Sequence, residues 1–189
     1  MLGILLMQFT KLWLKLTGLF KGRYLYKMNK ELKIYGKNIC LRSFQESDVT
    51  DHYVSWLNDN EVVKYSNQRF LTHTIESSNK YLDSFSNTRN MYMAIEDGST
   101  KELYGSITAY IQFNHGTADI GLMVGSKKSW GKGVGSEAWK LMMDFLLIQS
   151  GVRKVTGGTM RCNIGMIKIM KKNGMIHEAT KKSHELLDG

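Results

Sequence analysis

The stretch Gly121–Ser150, GLMVGSKKSWGKGVGSEAWKLMMDFLLIQS, joins the end of a predicted strand to a glycine-rich loop and then to an amphipathic helix. The loop has glycine at every second position from Gly131 to Gly135. Behind it, apolar residues from Ala138 to Ile148 recur close to helical spacing. Glycines at a helix start let backbone N–H groups approach a ligand, and the helix dipole favours anions. The stretch therefore predicts a phosphate site.

Two common phosphate-binding motifs do not fit this loop. A P-loop needs Ser or Thr after its Gly-Lys pair, but Gly133 follows Lys132. A dinucleotide motif needs a third glycine where Ser136 stands, and the next predicted strand, 152–159, carries no acid for a ribose. The loop of acyl-CoA-dependent N-acyltransferases, Q/R-x-x-G-x-G/A, fits better, with Trp130 in place of Gln or Arg. A surface turn without a ligand is the alternative.

The surrounding sequence resembles the GNAT superfamily of acetyltransferases. The segment 117–125, the loop and its helix resemble motif A of that superfamily, and 163–175 resembles motif B. The segment 53–65 is similar to the W-x-N-D-x-E-V sequence of a branch that includes ribosomal-protein N-terminal and many amino-sugar acetyltransferases. The resemblance covers roughly residues 37–187.

The resemblance and the hydrophobic pattern together predict an α+β, layered fold. Its sheet is expected to be a mixed, mostly antiparallel GNAT-type sheet flanked by helices. The predicted strands are 39–42, 91–96, 103–113, 118–124, 152–159 and 175–186. The predicted helices are 46–57 (with Ser47 or Asp48 as N-cap), 61–65, 74–85, 163–173 and the one behind the glycine loop, whose apolar residues run from Ala138 to Ile148. GNAT domains add a further C-terminal strand, which this sequence lacks. We therefore expect a truncated chain or a strand supplied by a neighbouring subunit.

Residues 1–27 differ from the rest, because they carry five basic residues and no acid, out of a net charge of +9. Lys11 and Lys15 interrupt the apolar run, which argues against a membrane-spanning helix. A helical face formed by Leu5, Phe9 and Leu12 predicts a basic amphipathic helix in weak contact with an anionic membrane or a partner. Alternatively, these residues are a non-native extension, with Met28 as the native start. The GNAT domain is predicted to be 28–189.

Composition limits the remaining classes. A chain of 189 residues suits one hydrophobic core. Cys40 and Cys162 lie far apart without metal-ligand spacing, which indicates a reducing, cytoplasmic setting and no metal site. The positive charge predicts an anionic partner. A nucleic-acid-binding module would explain the charge, but the basic residues do not interleave with aromatic residues on one element, so no nucleic acid is expected.

The resemblance implies that acetyl-CoA is the acetyl donor. Its pyrophosphate would bind main-chain N–H groups at the start of the helix, and its pantetheine arm would run along the preceding strand. A backbone N–H there would stabilise the developing oxyanion. The cofactor-binding residues so implied are Met123, Val124, Gly125, Trp130, Gly131, Lys132, Gly133, Val134, Gly135, Ser136 and Asn163.

The acceptor amine is mostly protonated at neutral pH, so a base must remove a proton. Asp119 is the candidate, because several GNAT members place a strand glutamate fourteen residues before the position of Gly133. Its shorter side chain favours action through water. A surface acid without a role is the alternative. The motif B positions that hold a general acid in the family are Met166 and Met170, which leaves Tyr110, His115 or solvent.

The acceptor pocket in this branch is built by the first helices, so the predicted substrate-binding residues are Trp56, Tyr65, Arg69 and His73. Residues such as Trp56 and Tyr65 more often pack in a core than stack on a ligand, so core packing is the alternative for them. Arg69 and His73 suit an anionic acceptor, such as a nucleotide-linked amino sugar. The predicted function is N-acetylation of a primary amine of a small molecule, with acetylation of a ribosomal protein N-terminus as the alternative. A homodimer is also compatible.

Overall fold

The computed structural model describes residues 3–10 and 32–187. One eight-stranded sheet runs through the molecule in the order β2-β3-β4-β5-β6-β7-β1-β8. The strands are β1 (Gly3–Thr10), β2 (Lys33–Tyr35), β3 (Ile39–Ser43), β4 (Met91–Asp97), β5 (Leu103–Gln112), β6 (Thr117–Val124), β7 (Lys154–Met160) and β8 (Ile176–Lys182). The α-helices are α1 (Asp51–Leu57), α2 (Asn60–Val63), α3 (Ile75–Asp83), α4 (Val134–Asp144) and α5 (Ile164–Lys172).

Side-chain alternation gives the sheet two different faces. On β4, Met91, Met93 and Ile95 enter the main core, which α4 and α5 cover with residues such as Trp139 and Met170. Their neighbours Tyr92 and Ala94 point to the opposite face and pack with α1 and the residues after α3 in a second cluster. The predicted α+β class with a mixed, mostly antiparallel sheet flanked by helices is confirmed.

The sheet opens between β6 and β7. These two strands pair in parallel only over 117–119 and 154–156. Beyond Asp119, β6 keeps its pairing with β5 as far as Val124, while β7 pairs with β1 as far as Met160. We call this divergence the split. Along it, within the described residues, the edge of β6 that faces β7 has no strand partner.

Two helices differ from the prediction. The predicted helix 46–57 is a 3-10 turn, Glu46–Asp48, followed by α1. The N-cap of α1 is Thr50, whose side chain accepts a hydrogen bond from the Tyr53 N–H, so the prediction of Ser47 or Asp48 was wrong. Asp48 is instead held by the Arg42 guanidinium, which fixes it outside the helix. The helix predicted after the glycine loop is α-helical only as far as Asp144, and a π-helical turn follows over Phe145–Gln149.

The N-terminal segment departs most from expectation. Residues 3–10 form β1, a strand between β7 and β8, so the amphipathic helix predicted there was wrong for these residues. Residues 11–27 of that prediction lie outside the described residues, and the domain boundary at residue 28 stays a prediction. The strand expected from a neighbouring subunit is supplied here by the same chain. No helix in the described ranges is long and apolar enough to cross a membrane.

Candidate active site

A cavity of about 800 Å³ runs through the split, from the face covered by α1 and α3 to residues of α4 and α5 on the other face. Both strands of the split contribute to its wall, β6 through Ile120–Met123 and β7 through Gly158 and Thr159. The helical elements add Tyr53, Leu57, Ser77, Ser78, Lys80, Tyr81, Asn163, Met166 and Met170. An extended ligand can therefore enter the sheet between two strands and reach a pocket built by the first helices.

The cradle loop, residues 126–136, connects β6 to α4. Its amides at Gly131, Gly133, Val134, Gly135 and Ser136 donate to no described group. Two others are already used, because the Trp130 and Lys132 N–H groups donate to the carbonyls of Lys127 and Ser129. Free N–H groups just before and at the start of an eleven-residue helix are an arrangement that favours anions.

Different physical reasons require the three glycines of this loop. Gly131 and Gly133 have φ of +72° and +89°, a region that side-chain-bearing residues rarely adopt. Gly135 is needed for space, since a Cβ there would come within 3.1–3.3 Å of Ile169, Leu122 and Val124. The start of α4 therefore lies directly against β6 and α5, beside the split.

The three lysines of the cradle loop have different surroundings. Lys127 Nζ lies 2.8 Å from an Asp59 carboxylate oxygen and 2.6 Å from one of Glu61. Lys128 is ion-paired with Glu102. Lys132 has no ion-pair partner among the described residues, and it is exposed. Of the three cations, Lys132 alone remains available to an anionic ligand.

Two tryptophans shape the end of β6. The Trp130 indole N–H donates to the Val124 carbonyl at 2.7 Å. Trp56 packs on Gly125 and is only 6% exposed, so it belongs to the second core cluster and does not line the cavity. The predicted substrate role of Trp56 therefore has no support from its position.

Asp119 lies where the split begins. It shares a face of β6 with Gly121 and Met123, which line the cavity, but Asp119 itself does not. The Thr156 hydroxyl donates to its carboxylate at 2.7 Å. One side of Asp119 remains open to solvent. Surrounding protein atoms nevertheless withdraw the carboxyl group from water, and this burial raises its pKa, an effect that the Thr156 hydrogen bond partly offsets.

A set of hydroxyl groups lies on the same face of the sheet, and sequence reasoning named only Tyr110 among them. The Tyr53 and Tyr92 hydroxyls are hydrogen-bonded to each other, and Ser106 Oγ lies 3.4 Å from the Tyr53 oxygen. Burial raises the pKa of both tyrosines, so they remain neutral donors. The Tyr81 and Tyr110 hydroxyls are 2.6 Å apart. Strand alternation places Ser106 and Tyr110 on one face, but their partners come from elsewhere in the chain.

Predicted acceptor residues divide into two groups. Tyr65 and His73 line the cavity. Arg69 does not, because its guanidinium donates to the carbonyls of Ser66 at 2.6 Å and Leu186 at 2.8 Å. Sequence reasoning missed Lys80, which lines the cavity without an ion-pair or hydrogen-bond partner among the described residues.

The start of α5 completes the far wall. Asn163 lines the cavity and caps α5, its side-chain oxygen accepting a hydrogen bond from the Met166 N–H at 3.1 Å. Met166 and Met170 also line the cavity and cannot donate a proton. His115 lies in the turn after β5 and does not contribute to the wall.

Comparisons with known proteins agree with this architecture. The structure of the ribosomal alpha-N-protein acetyltransferase RimL in complex with coenzyme A matches at a TM-score of 0.73 and 17% identity, over 84% of this chain and 92% of that chain. Spermidine N-acetyltransferase from Vibrio cholerae in complex with CoA and spermine matches at 0.71 and 15%, over 80% and 89%. A GNAT-family acetyltransferase from Bacillus anthracis matches at 0.67 and 20%, over 78% and 86%.

Identities of this size show the fold alone. Among proteins of curated function, no sequence matches this chain significantly. A family model described as an acetyltransferase (GNAT) domain matches residues 38–176, which include the split, the cradle loop and most of the cavity wall. The chain therefore belongs to the GNAT acetyltransferase domain family.

Proposed function

We propose that this chain transfers an acetyl group from acetyl-CoA to the primary amine of an amino sugar or a nucleotide-linked amino sugar, by direct attack in a ternary complex. The observation that carries the proposal is the position of five free amides at the start of α4, directly beside the split. A diphosphate and an extended arm are the two parts of coenzyme A that such a site and such a groove suit.

The donor would supply the acetyl group as a thioester. The amides of Gly131 and 133–136 would hold its diphosphate, with Lys132 adding a positive charge. The unpaired edge of β6 would bind the pantetheine arm, and an N–H from Met123–Gly125 would stabilise negative charge on the acetyl oxygen. The GNAT structures of RimL and of the Vibrio cholerae spermidine acetyltransferase contain coenzyme A, which supports this use of the fold.

Asp119 would accept the proton that the acceptor ammonium loses. Because Asp119 does not line the cavity, a water molecule must connect the two groups. Because its pKa is raised, the Asp119 carboxylate is a better general base near neutral pH than a fully solvated carboxylate would be. Tyr81 and Tyr110 lie on the same side of the sheet and would help to order that water through their paired hydroxyls.

The composition of the cavity supports a sugar acceptor. None of the described residues that line the cavity is Asp or Glu, so among them a polycationic amine would find no carboxylate. Lys80 and His73 are its basic groups, which suit a phosphate on the acceptor. Sugar hydroxyls would be met by side-chain hydroxyls, those of Ser66, Thr72, Ser77, Tyr81, Ser84 and Thr108.

Thermal denaturation tests the donor first. Acetyl-CoA should raise the melting temperature. At a hundred times its Kd it should add about 2.7 kcal/mol to the free energy of unfolding, and NAD and ATP should add less. Thiol release with a panel of nucleotide-linked amino sugars, free amino sugars, spermine and peptide N-termini then tests the acceptor. The proposal fails if acetyl-CoA gives no shift, or if peptides or spermine are the only amines that turn over.

A further inference from the structure

The position of β1 has a consequence for the split. Past Thr156, β7 no longer pairs with β6, and its remaining strand neighbour is β1. Ile4, Leu5 and Leu6 pair with Met160, Thr159 and Gly158. Among the described residues, the segment of β7 that forms the cavity wall is therefore held in the sheet by the N-terminal strand alone.

The other edge of β1 has the same function for β8. Residues 3–8 pair with 176–182 on β8, with a bulge between Leu6 and Met7. Every residue of β8 is exposed, so side-chain burial contributes little to its place in the sheet. Without β1, both β7 and β8 would present unpaired backbone groups, which is costly.

The side chains of β1 fit the space between β7 and β8. Met7 is 1% exposed and belongs to the main core cluster. On β7, Gly158 leaves room for the strand, because a Cβ there would come within 3.3 Å of Leu6. Residues 3–10 carry no charge, as suits a strand with neighbours on both edges.

The chain is long enough to place this strand in its own sheet. β1 and β2 are six strand positions apart, which is about 29 Å at about 4.8 Å per strand. The intervening residues, 11–31, could reach about 70 Å if fully extended. A connection within one chain is therefore geometrically open.

We propose that the groove between β7 and β8 is a strand-binding site, that the chain's own residues 3–10 fill it, and that filling it holds the far wall of the split in place. The last part rests on the proposed function, because it makes acetyl-CoA binding depend on an N-terminal strand that lies about 150 residues before β7 in the sequence. Without β1, the free amides of the cradle loop would remain, but the wall of the split that β7 and α5 form would lose its support.

Hydrogen exchange of the full chain tests the strand directly. Leu6→Pro removes an N–H in the middle of β1 and should speed amide exchange at 157–160 and in β8 at least tenfold, leaving β3–β5 unchanged. Tyr35→Pro, in the strand at the opposite edge, is the matched control and should leave 157–160 as in the wild type. Met7→Ala is a milder second variant, which should lower the melting temperature and speed exchange at 157–160 in the same direction. Wild-type exchange at 157–160 in both β1 variants would overturn the proposal.

A designed disulfide identifies the occupant. Leu5 and Thr180 are directly paired, so Leu5→Cys with Thr180→Cys, in a Cys162→Ser background, should form a bridge within one chain. A disulfide-linked dimer on a non-reducing gel would show that a second copy supplies the strand and would overturn the same-chain assignment.

Acetyl-CoA affinity separates this proposal from the proposed function. A higher Kd for acetyl-CoA in Leu6→Pro than in Tyr35→Pro would support the dependence of acetyl-CoA binding on β1. Equal Kd values together with fast exchange at 157–160 would overturn that dependence. If the wild type does not bind acetyl-CoA, the proposed function fails, while the exchange and disulfide results still decide whether residues 3–10 fill the groove.

Discussion

The indole of Trp56 lies so close to Gly125 that a Cβ at residue 125 would come within 2.2 Å of the ring. Trp56 belongs to α1, and Gly125 directly follows β6, just before the cradle loop. This contact therefore joins α1, which contributes to the cavity wall, to the loop that carries the free amides. The ion pairs of Lys127 with Asp59 and Glu61 make a second connection between the same two parts.

Gly125→Ala should destabilise the protein by about 1–3 kcal/mol, because the indole or the strand must move to admit the methyl group. Chemical denaturation measures this change in the free energy of unfolding. Gly165→Ala is the control, since a Cβ there meets only Asn163 Oδ1 at 3.8 Å. In a helix that change should be neutral or stabilising. Equal stabilities for the two variants would mean that the Trp56 contact is not rigid.

Gly133→Ala should weaken acetyl-CoA binding about tenfold or more, as measured by calorimetry. A residue with a side chain resists φ of +89°, so the free amides around it shift, and one lost charge-assisted hydrogen bond is worth about 1.5–3 kcal/mol. Gly151→Ala is a matched control, because Gly151 has φ of +75° and equally open space but lies beyond α4. Similar losses of affinity in both variants would count against the cradle loop as the phosphate site.

Asp119→Asn should lower turnover about a hundredfold at neutral pH with acetyl-CoA affinity unchanged. In the wild type, kcat/KM should fall as pH drops through the raised pKa of Asp119, and this decline should be absent in the variant. Burial raises the folded-state pKa, so protonation favours the folded state. The stability from this group is full below its unfolded pKa and is lost as pH rises through the folded value. The variant should therefore be no less stable at neutral pH, and unchanged turnover would reject Asp119 as the base.

Lys80→Ala should raise the acceptor KM about tenfold or more with little effect on acetyl-CoA affinity, if the acceptor carries a phosphate. The physical reason is that Lys80 lines the cavity without a partner. Steady-state kinetics with a nucleotide-linked amino sugar measure the change. Lys168→Ala, on an exposed position of α5 outside the cavity wall, should leave KM as in the wild type. An unchanged acceptor KM in Lys80→Ala would reject the hypothesis that the acceptor carries a phosphate bound by Lys80.

Arg42→Ala should cost about 3–5 kcal/mol in the free energy of unfolding. Arg42 donates two hydrogen bonds of 2.6 Å to the Asp48 carboxylate and one of 2.7 Å to Glu96, and both acids are buried. Removing the cation would leave the buried Asp48 carboxylate without an ion-pair partner among the described residues, and Glu96 with only its 3.6 Å pair to Lys101. Lys140→Ala, which breaks an exposed pair with Asp144, should change stability by less than about 1 kcal/mol. A loss of similar size in both variants would contradict this account.

The sequence alone predicted the central part of the fold correctly, because that part depends on local signals. Period-two alternation marked β6, a polar turn between two strand-like runs marked β4 and β5, and helical spacing marked α4. The glycines at 131, 133 and 135 indicated a helix start with exposed amides, which the structure contains. Motif spacing was sufficient to place Asn163 at the start of α5.

Side-chain partners were not readable from the sequence, since they depend on residues far away in the chain. Trp56 was predicted in the acceptor pocket but packs on Gly125. Arg69 was predicted there too but bonds the carbonyl of Leu186. Lys80 and the Tyr53–Tyr92 pair were missed, because a lysine or tyrosine on a short helix or strand gives no local sign of the cavity it faces.

What the sequence determined by itself is the glycine loop, the helix behind it and the alternating strands, all of which follow from backbone conformation and hydrophobic period within a few residues. The tertiary structure alone decided that residues 3–10 are a strand, because their apolar side chains fit a helix face as well as a strand. Only the unpaired edges of β7 and β8, contributed by the opposite end of the chain, select the strand.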